Sequence, residues 1–168
     1  MPAPKRLPRT AEFLLAADAA VEAGEKNDCA VKAVHIATGA PYADVLAFMT
    51  AQGRKKRGPT QMAVTHAAVR HFGFKTQRRA CQLFLDKLPK GVIAENITTH
   101  HPERFPAAWA DGKTYLLTTR NHILCIKNGI NHDWSKGKSL RVIFVEEVVP
   151  VHTSAGCTAV QSTGVNSK

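Results

Sequence analysis

The chain lacks the features of secreted disulfide proteins, zinc proteins and membrane-spanning proteins. It has only 4 cysteines, at positions 29, 81, 125 and 157, and none of them forms a Cys-x-x-Cys pair. That spacing is typical of free thiols in a reducing compartment rather than of a disulfide or zinc framework. No stretch approaches the roughly 18 apolar residues of a membrane span. Residues 11–23 are too acidic for a signal peptide. We therefore expect a cytoplasmic protein that needs no metal and no cofactor.

Acidic residues are scarce relative to basic ones. The sequence has 13 Asp and Glu against 23 Lys and Arg, a formal net charge of +10. This balance permits contact with nucleic acid or with an acidic protein surface. Four cations are consecutive, Arg54, Lys55, Lys56 and Arg57, and they are candidates for a loop that binds phosphates or for a localisation-type patch. A solvated loop without a ligand is the interpretation that the charge run itself favours.

The 168 residues suggest a single domain over 1–150, and the Ser-, Thr- and Gly-rich segment 151–168 is expected to be a disordered tail. Apolar residues at helical spacing predict five helices, at about 11–23, 29–38, 41–52, 60–72 and 81–88. Alternating patterns predict four strands, at about 114–119, 122–126, 130–134 and 140–149. Helices followed by strands indicate an α+β fold, with N-terminal helices packed on a C-terminal antiparallel β-sheet.

Polar residues before the helices predict their N-caps. Thr10 is expected to cap the first helix, Asn27 or Asp28 the second, and Thr60 the fourth. Cys29 then lies in the first turn of its helix. Unpaired backbone N–H groups and the helix dipole favour negative charge there and lower the pKa of a thiol. The Asn27 amide and the Cys29 backbone N–H are candidate donors to an oxyanion.

A hairpin about ninety residues later supplies the other candidate groups. Asn128-Gly129 is a strong signal for a two-residue turn, because both central residues must tolerate a positive φ. In that register Leu124 lies opposite Asp133, so Asp133 is the diagonal neighbour of His122 on the same face. The hairpin alone therefore predicts an imidazole–carboxylate contact.

The same register predicts where two further residues lie relative to His122. Cys125 lies on the opposite face from His122, which makes it a poor nucleophile. Asn131 stays open as an alternative partner for His122, although the residue opposite it, Ile126, is farther from the imidazole.

A helix-opening Cys followed by His-x-x-x-x-x-x-Gly-x-x-x-Asp-Trp resembles the papain-like cysteine peptidase superfamily. The likeness is greatest to its small bacterial and phage members and to the peptidase domains that cleave bacteriocin leader peptides. The run Gly-Lys-Thr-Tyr-Leu-Leu at 112–117 is similar to the strand before the catalytic His in those proteins. The resemblance covers roughly Asn27 to Val145, and it implies that residues 1–150 form one papain-like domain.

By that resemblance Cys29 is the nucleophile, His122 the general base and acid, and Asp133 the residue that orients the imidazole. The family's oxyanion residue is usually a Gln several positions before the Cys. Position 23 is Ala in this chain, so the role falls to Asn27 or Glu25.

The sequence thus predicts a thiol hydrolase that cleaves a peptide or isopeptide bond of a peptide or protein substrate. Acyl transfer to an amine would use the same three residues. The alternative is a catalytically weak binding module of the same fold that contacts nucleic acid or an acidic protein surface through residues 54–57. The sequence gives no oligomeric state.

Overall fold

A computed structural model describes residues 8–79, 97–98, 112–135, 139–140 and 142–151. The four helices there are α1 (Ala11–Glu22), α2 (Cys29–Thr38), α3 (Tyr42–Ala51) and α4 (Met62–His71). The strands are β1 (Phe74–Arg79), β2 (Ile97–Thr98), β3 (Thr114–Thr119), β4 (Ile123–Lys127), β5 (Ile130–Asn131), β6 (Ser139–Leu140) and β7 (Val142–Pro150). None of the helices in these ranges is long and apolar enough to cross a membrane. The predicted helix 81–88 and the predicted tail after residue 151 fall outside the described residues.

The predicted α+β class is confirmed. Five antiparallel strands form one sheet in the order β1-β7-β3-β4-β5, and β2 pairs with β6 separately. We did not predict β1, whose sequence FKTQRR is mostly polar. Among the described strands it lies at an edge of the sheet and pairs with β7, far along the chain. Nothing in the local sequence indicates that partner.

Helix α2 lies at the centre of the packing and contacts α1, α3, α4 and β4. The apolar residues at helical spacing on α2, which are Ala30, Ala33, Val34 and Ala37, are buried, and so are Val31 and Ile36 beside them. A helix that is buried on most of its circumference gains roughly 1.5–3 kcal/mol for each fully buried large aliphatic side chain. Cys29, its first residue, is therefore attached to the helix that has the most buried residues among the four described helices.

The predicted N-caps are only partly present. Thr10 caps α1, because its Oγ1 accepts a hydrogen bond of 3.3 Å from the Phe13 N–H. Asp28 occupies the N-cap position of α2, but its side chain makes no capping hydrogen bond. The prediction for Thr60 is wrong: its hydroxyl accepts a hydrogen bond from Arg54, and α4 begins two residues later at Met62.

The predicted hairpin turn is present between β4 and β5. Asn128 and Gly129 have φ values of 48° and 76°, and Lys127 pairs with Ile130. Strand β5 is shorter than predicted and ends at Asn131. The ladder continues through one hydrogen bond of 3.0 Å from the His132 N–H to the Cys125 carbonyl. Asp133 follows directly after it, so the predicted strand pairing with Leu124 is not formed.

Candidate active site

A cleft of about 820 Å³ opens where the N-terminus of α2 faces the turn between β3 and β4. One wall contains Asn27 and Cys29, and another contains Pro59 and Thr60. The wall contributed by the sheet and its hairpin contains these residues: Thr118, Thr119, Arg120, Asn121, His122, Ile123, Asp133 and Trp134. The cleft therefore combines a thiol, an imidazole and a carboxylate from two distant parts of the chain.

Cys29, His122 and Asp133 form a hydrogen-bonded chain. The Nε2 atom of His122 lies 2.7 Å from Oδ2 of Asp133. The Cys29 side chain is hydrogen-bonded to His122 as well. The contact predicted from the hairpin thus exists, although Asp133 reaches it from just beyond the end of β5. The short side chain of Asp133 is fixed by a second hydrogen bond of 2.9 Å from the Ser135 N–H.

The electrostatics of this chain favour a charged thiol and a charged imidazole. Burial raises the pKa of Cys29, but hydrogen bonds from His122 and from the Ile123 backbone N–H outweigh it, and the pKa falls below its ordinary value. Burial lowers the pKa of His122, yet Asp133 and Cys29 outweigh it and raise the pKa to about 9. Near neutral pH both shifts favour a thiolate–imidazolium pair.

The indole of Trp134 lies beside the imidazole. The two ring centroids are 5.2 Å apart with an interplanar angle of 56°. Trp134 is 44% exposed, whereas Asp133 is only 4% exposed. The side chains of His122 and Asp133 are largely buried, and the low local dielectric around buried groups strengthens their contact.

The structure separates Cys125 and Asn131 from this chain. Cys125 is fully buried in the hydrophobic core, and burial raises its pKa to about 12. Asn131 pairs with Ile126 across the hairpin, and His122 contacts Asp133. Parity along the strands predicted both placements.

Asn27 lines the cleft next to the nucleophile, as an oxyanion donor requires. Its Nδ2 donates a hydrogen bond of 3.0 Å to the Arg57 carbonyl. A side-chain amide has two N–H groups, and this bond uses one of them. Glu25, the other candidate, is an ionised acceptor: its hydrogen bond with Arg54 lowers the pKa of the carboxyl below its ordinary value. It therefore has no proton to donate to an oxyanion.

The basic segment is not the uniform cationic surface that the sequence predicts. Arg54 is 4% exposed, and its guanidinium binds Glu25 at 2.9 Å and Thr60 at 3.1 Å. It is therefore a buried structural residue and is not available to an external phosphate. Lys55, Lys56 and Arg57 are exposed. A ligand at this segment would meet three cations rather than four.

A buried polar cluster that we did not predict lies directly before the nucleophile. Asp28 is 5% exposed and accepts hydrogen bonds from the Tyr42 hydroxyl at 2.7 Å and from Lys32 at 2.8 Å. Burial and the bond to Asp28 raise the pKa of Tyr42, so its hydroxyl stays a donor. The i, i+4 spacing of Asp28 and Lys32 was a readable signal, whereas nothing local indicates Tyr42. The lysine and the tyrosine thus pair the Asp28 carboxylate directly before the nucleophile.

In the parts of the chain that the structure describes, no group of three or more His, Cys, Asp or Glu residues is arranged to hold a metal ion. No protein-family model, curated protein or solved structure matches this chain significantly. What the site does therefore has to follow from its own geometry and chemistry.

Proposed function

We propose that the protein is a papain-like thiol hydrolase that cleaves a peptide or isopeptide bond. The observation that carries this proposal is the hydrogen-bonded chain from Cys29 through His122 to Asp133, at the side of an open cleft. A thiolate attacks, an imidazole moves the proton, and a carboxylate holds the imidazole in the productive orientation. A helix carries the thiol, and a β-hairpin carries the imidazole and the carboxylate. This division between helix and hairpin supports the papain-like assignment.

The proposed reaction has two stages. The thiolate of Cys29 attacks the carbonyl carbon, and the carbonyl oxygen becomes an oxyanion. The C–N bond then breaks as His122 protonates the departing amine, which leaves a thioester on Cys29. Next, His122 takes a proton from water, the hydroxide attacks the thioester, and the carboxylic acid product leaves as the thiol re-forms. An amine in place of water would give acyl transfer through the same groups.

Two donors are assigned to the oxyanion: the Asn27 amide and the Cys29 backbone N–H. The latter belongs to the first turn of α2, where backbone N–H groups have no intrahelical acceptor. Preorganised donors of this kind each contribute on the order of 10²–10³-fold in kcat. Because Asn27 lies two residues before Cys29, one short segment would supply the nucleophile and both donors.

The alternative, a catalytically weak binding module for nucleic acid or an acidic protein surface, has less support. It depends on residues 54–57, and the charge of Arg54 is already compensated by Glu25 inside the protein. A gel-shift series from low to physiological salt separates the two proposals. A nucleic-acid binder would show a shift that weakens steeply with salt, as counterion release requires.

The test of the proposed nucleophile is alkylation with iodoacetamide at pH 6, with the labelled residue located by mass spectrometry. An ordinary thiol is only about 0.1–1% thiolate at that pH, so Cys29 should react at least about tenfold faster than the other three cysteines. The variant Cys125→Ser should leave the fast reaction unchanged, whereas Cys29→Ala should abolish it. Equally slow reaction of all four cysteines would refute the activated thiol.

A further inference from the structure

A buried ion pair joins the loop before the nucleophile to the loop across the cleft. The loop before Cys29, here the Cys loop, consists of residues 23–28 between α1 and α2. The opposite loop, here the basic loop, consists of residues 52–61 between α3 and α4. Arg54 Nη2 lies 2.9 Å from Glu25 Oε2, and the two side chains are 0% and 4% exposed. An ion pair with this little solvent contact links the two loops directly.

Further hydrogen bonds converge on the same contact. Oε2 of Glu25 also accepts the Arg57 backbone N–H at 3.0 Å. Arg57 Nε donates to the Gly24 carbonyl at 3.0 Å, and the Arg57 carbonyl accepts from Asn27 Nδ2 at 3.0 Å. The Asn27 amide is therefore connected to the ion pair through a single residue, Arg57.

Backbone conformation indicates that this connection is under constraint. Three non-glycine residues in the described parts of the chain have a positive φ, and two of them are Asn27 at 53° and Arg57 at 57°. The left-handed region is uncommon for side-chain-bearing residues and persists where surrounding contacts impose it. These two residues hydrogen-bond to each other across the two loops. The strain thus lies at the point where the loops hold the Asn27 amide.

The same guanidinium also reaches the opposite wall of the cleft. Arg54 Nε donates to Thr60 Oγ1 at 3.1 Å, and Thr60 lines the cleft with Pro59. One buried side chain thus contacts the Cys loop on one side and the far wall on the other. The Nη1 atom of Arg54 is buried without a hydrogen-bond partner. Burial of an unpaired polar atom lowers the stability of the fold, so stability alone would not favour this position of Arg54.

We propose that the Glu25–Arg54 ion pair is a positioning device that holds the Asn27 amide at the oxyanion site beside Cys29. This inference rests on the proposed function. Glu25 and Arg54 act through Arg57 and Asn27 and touch no reacting atom. Arg54 also neutralises a carboxylate four residues from the thiol, where an unpaired negative charge would oppose the developing oxyanion.

Two reactions of Cys29 separate positioning of the oxyanion donor from activation of the thiol. Alkylation by iodoacetamide forms no oxyanion, whereas acylation by p-nitrophenyl acetate passes through a tetrahedral oxyanion and releases p-nitrophenolate. Both rates are measured for the full chain, and mass spectrometry assigns each adduct to Cys29. Asn27→Ala gives the reference for loss of the donor. We expect the Glu25→Gln and Arg54→Lys variants to acylate about 10–10²-fold more slowly, like Asn27→Ala, and to alkylate within about threefold of the parent rate.

The controls separate this inference from a loss of folding. Glu22→Gln changes an exposed glutamate three residues away and should leave both rates unchanged. If either single variant fails to fold, the double variant Glu25→Leu with Arg54→Met removes both charges together, a change that buried pairs often tolerate. In this double variant the acylation rate should fall, whereas the alkylation rate should stay near that of the parent.

Each outcome bears on a different proposal. Two results would overturn the positioning role and leave the proposal of a thiol hydrolase intact. In the first, the folded ion-pair variants acylate as fast as the parent. In the second, their acylation and alkylation rates fall by the same factor. A parent protein whose Cys29 acylates no faster than a small thiol at the same thiolate fraction would overturn both.

Discussion

The reactivity of Cys29 depends on which of two opposing effects dominates its environment. Burial raises the pKa of the thiol, whereas hydrogen bonds from the His122 side chain and the Ile123 N–H lower it, and the second effect prevails. A partly buried thiol is thus activated only as long as the imidazole is present. This balance distinguishes Cys29 from Cys125, whose pKa is raised by burial with no imidazole to lower it.

Replacing His122 should therefore invert the pKa shift of Cys29. Without the imidazole, burial dominates the remaining contributions, and the pKa of the thiol should move from below to above its ordinary value of 9.0. Each pKa unit lowers the thiolate fraction tenfold, so alkylation of His122→Ala at pH 6 should slow by at least about tenfold. A pH series of alkylation rates measures the pKa. The control is His71→Ala, an exposed histidine outside the cleft, and an unchanged pH profile in His122→Ala would contradict the coupling.

Residues whose role depends on local sequence were predictable, and residues that depend on long-range contacts were not. The position of Cys29 at the start of α2 and the exclusion of Cys125 both follow from local patterns. The buried contact between Glu25 and Arg54 joins residues 29 positions apart. Arg54 reads in the sequence as one of four equivalent cations, because only the folded chain shows that a carboxylate lies next to it.

At the scale of elements, the β4–β5 hairpin provides two of the three groups in the candidate chain. His122 precedes β4 and Asp133 follows β5, so the turn at Asn128 and Gly129 determines how the two side chains meet. Turn chemistry is encoded in two residues, which explains why the contact could be predicted. The ladder itself is shorter than its sequence pattern, because the chain turns at Asp133, whose carboxylate accepts the Ser135 N–H.

Replacing Asn128 by Pro should separate the imidazole from the carboxylate. Proline fixes φ near −65°, against the 48° of Asn128. It also removes the N–H that donates to the Lys113 carbonyl at 2.9 Å. We expect a loss of about 2–3 kcal/mol in the free energy of unfolding and slower alkylation of Cys29. Urea unfolding and the iodoacetamide assay measure the two effects.

The matched control for that hairpin variant is Asn128→Gly. Glycine adopts positive φ readily, so a Gly-Gly turn should preserve the register and the reactivity of Cys29. If Asn128→Pro alkylates as fast as the parent, the hairpin does not control the position of His122 relative to Asp133.

At the scale of the whole molecule, buried acidic residues connect elements that are distant in sequence. Glu146 and Glu147 are consecutive in β7 and therefore point to opposite faces of the sheet. Glu146 binds His66 of α4 at 2.9 Å, and Glu147 binds Arg79 of β1. Strand β7 lies between β1 and β3 although it is the last of the described strands along the chain. The sheet order could not be predicted, because pairing over such separations leaves no periodic signal in the sequence.

The carboxylate of Glu25 should make part of the protein's stability dependent on pH. Its pKa is lowered below 4.5 in the folded protein, chiefly by the hydrogen bond from Arg54. A carboxyl group with a depressed folded-state pKa stabilises the protein above the unfolded pKa, and that contribution is lost as the pH falls through the folded value. Glu25→Gln should thus cost about 1–3 kcal/mol near neutral pH, because the buried guanidinium loses its counter-charge. As the pH falls below the ordinary carboxyl range toward the depressed pKa of Glu25, the difference between parent and variant should shrink, because the unfolded chain then binds a proton that the folded protein does not. Urea unfolding of both proteins from pH 7 to pH 3 measures that difference, with Glu22→Gln as the exposed counterpart, and a gap that stays constant over this range would show that the Glu25 charge does not stabilise the fold.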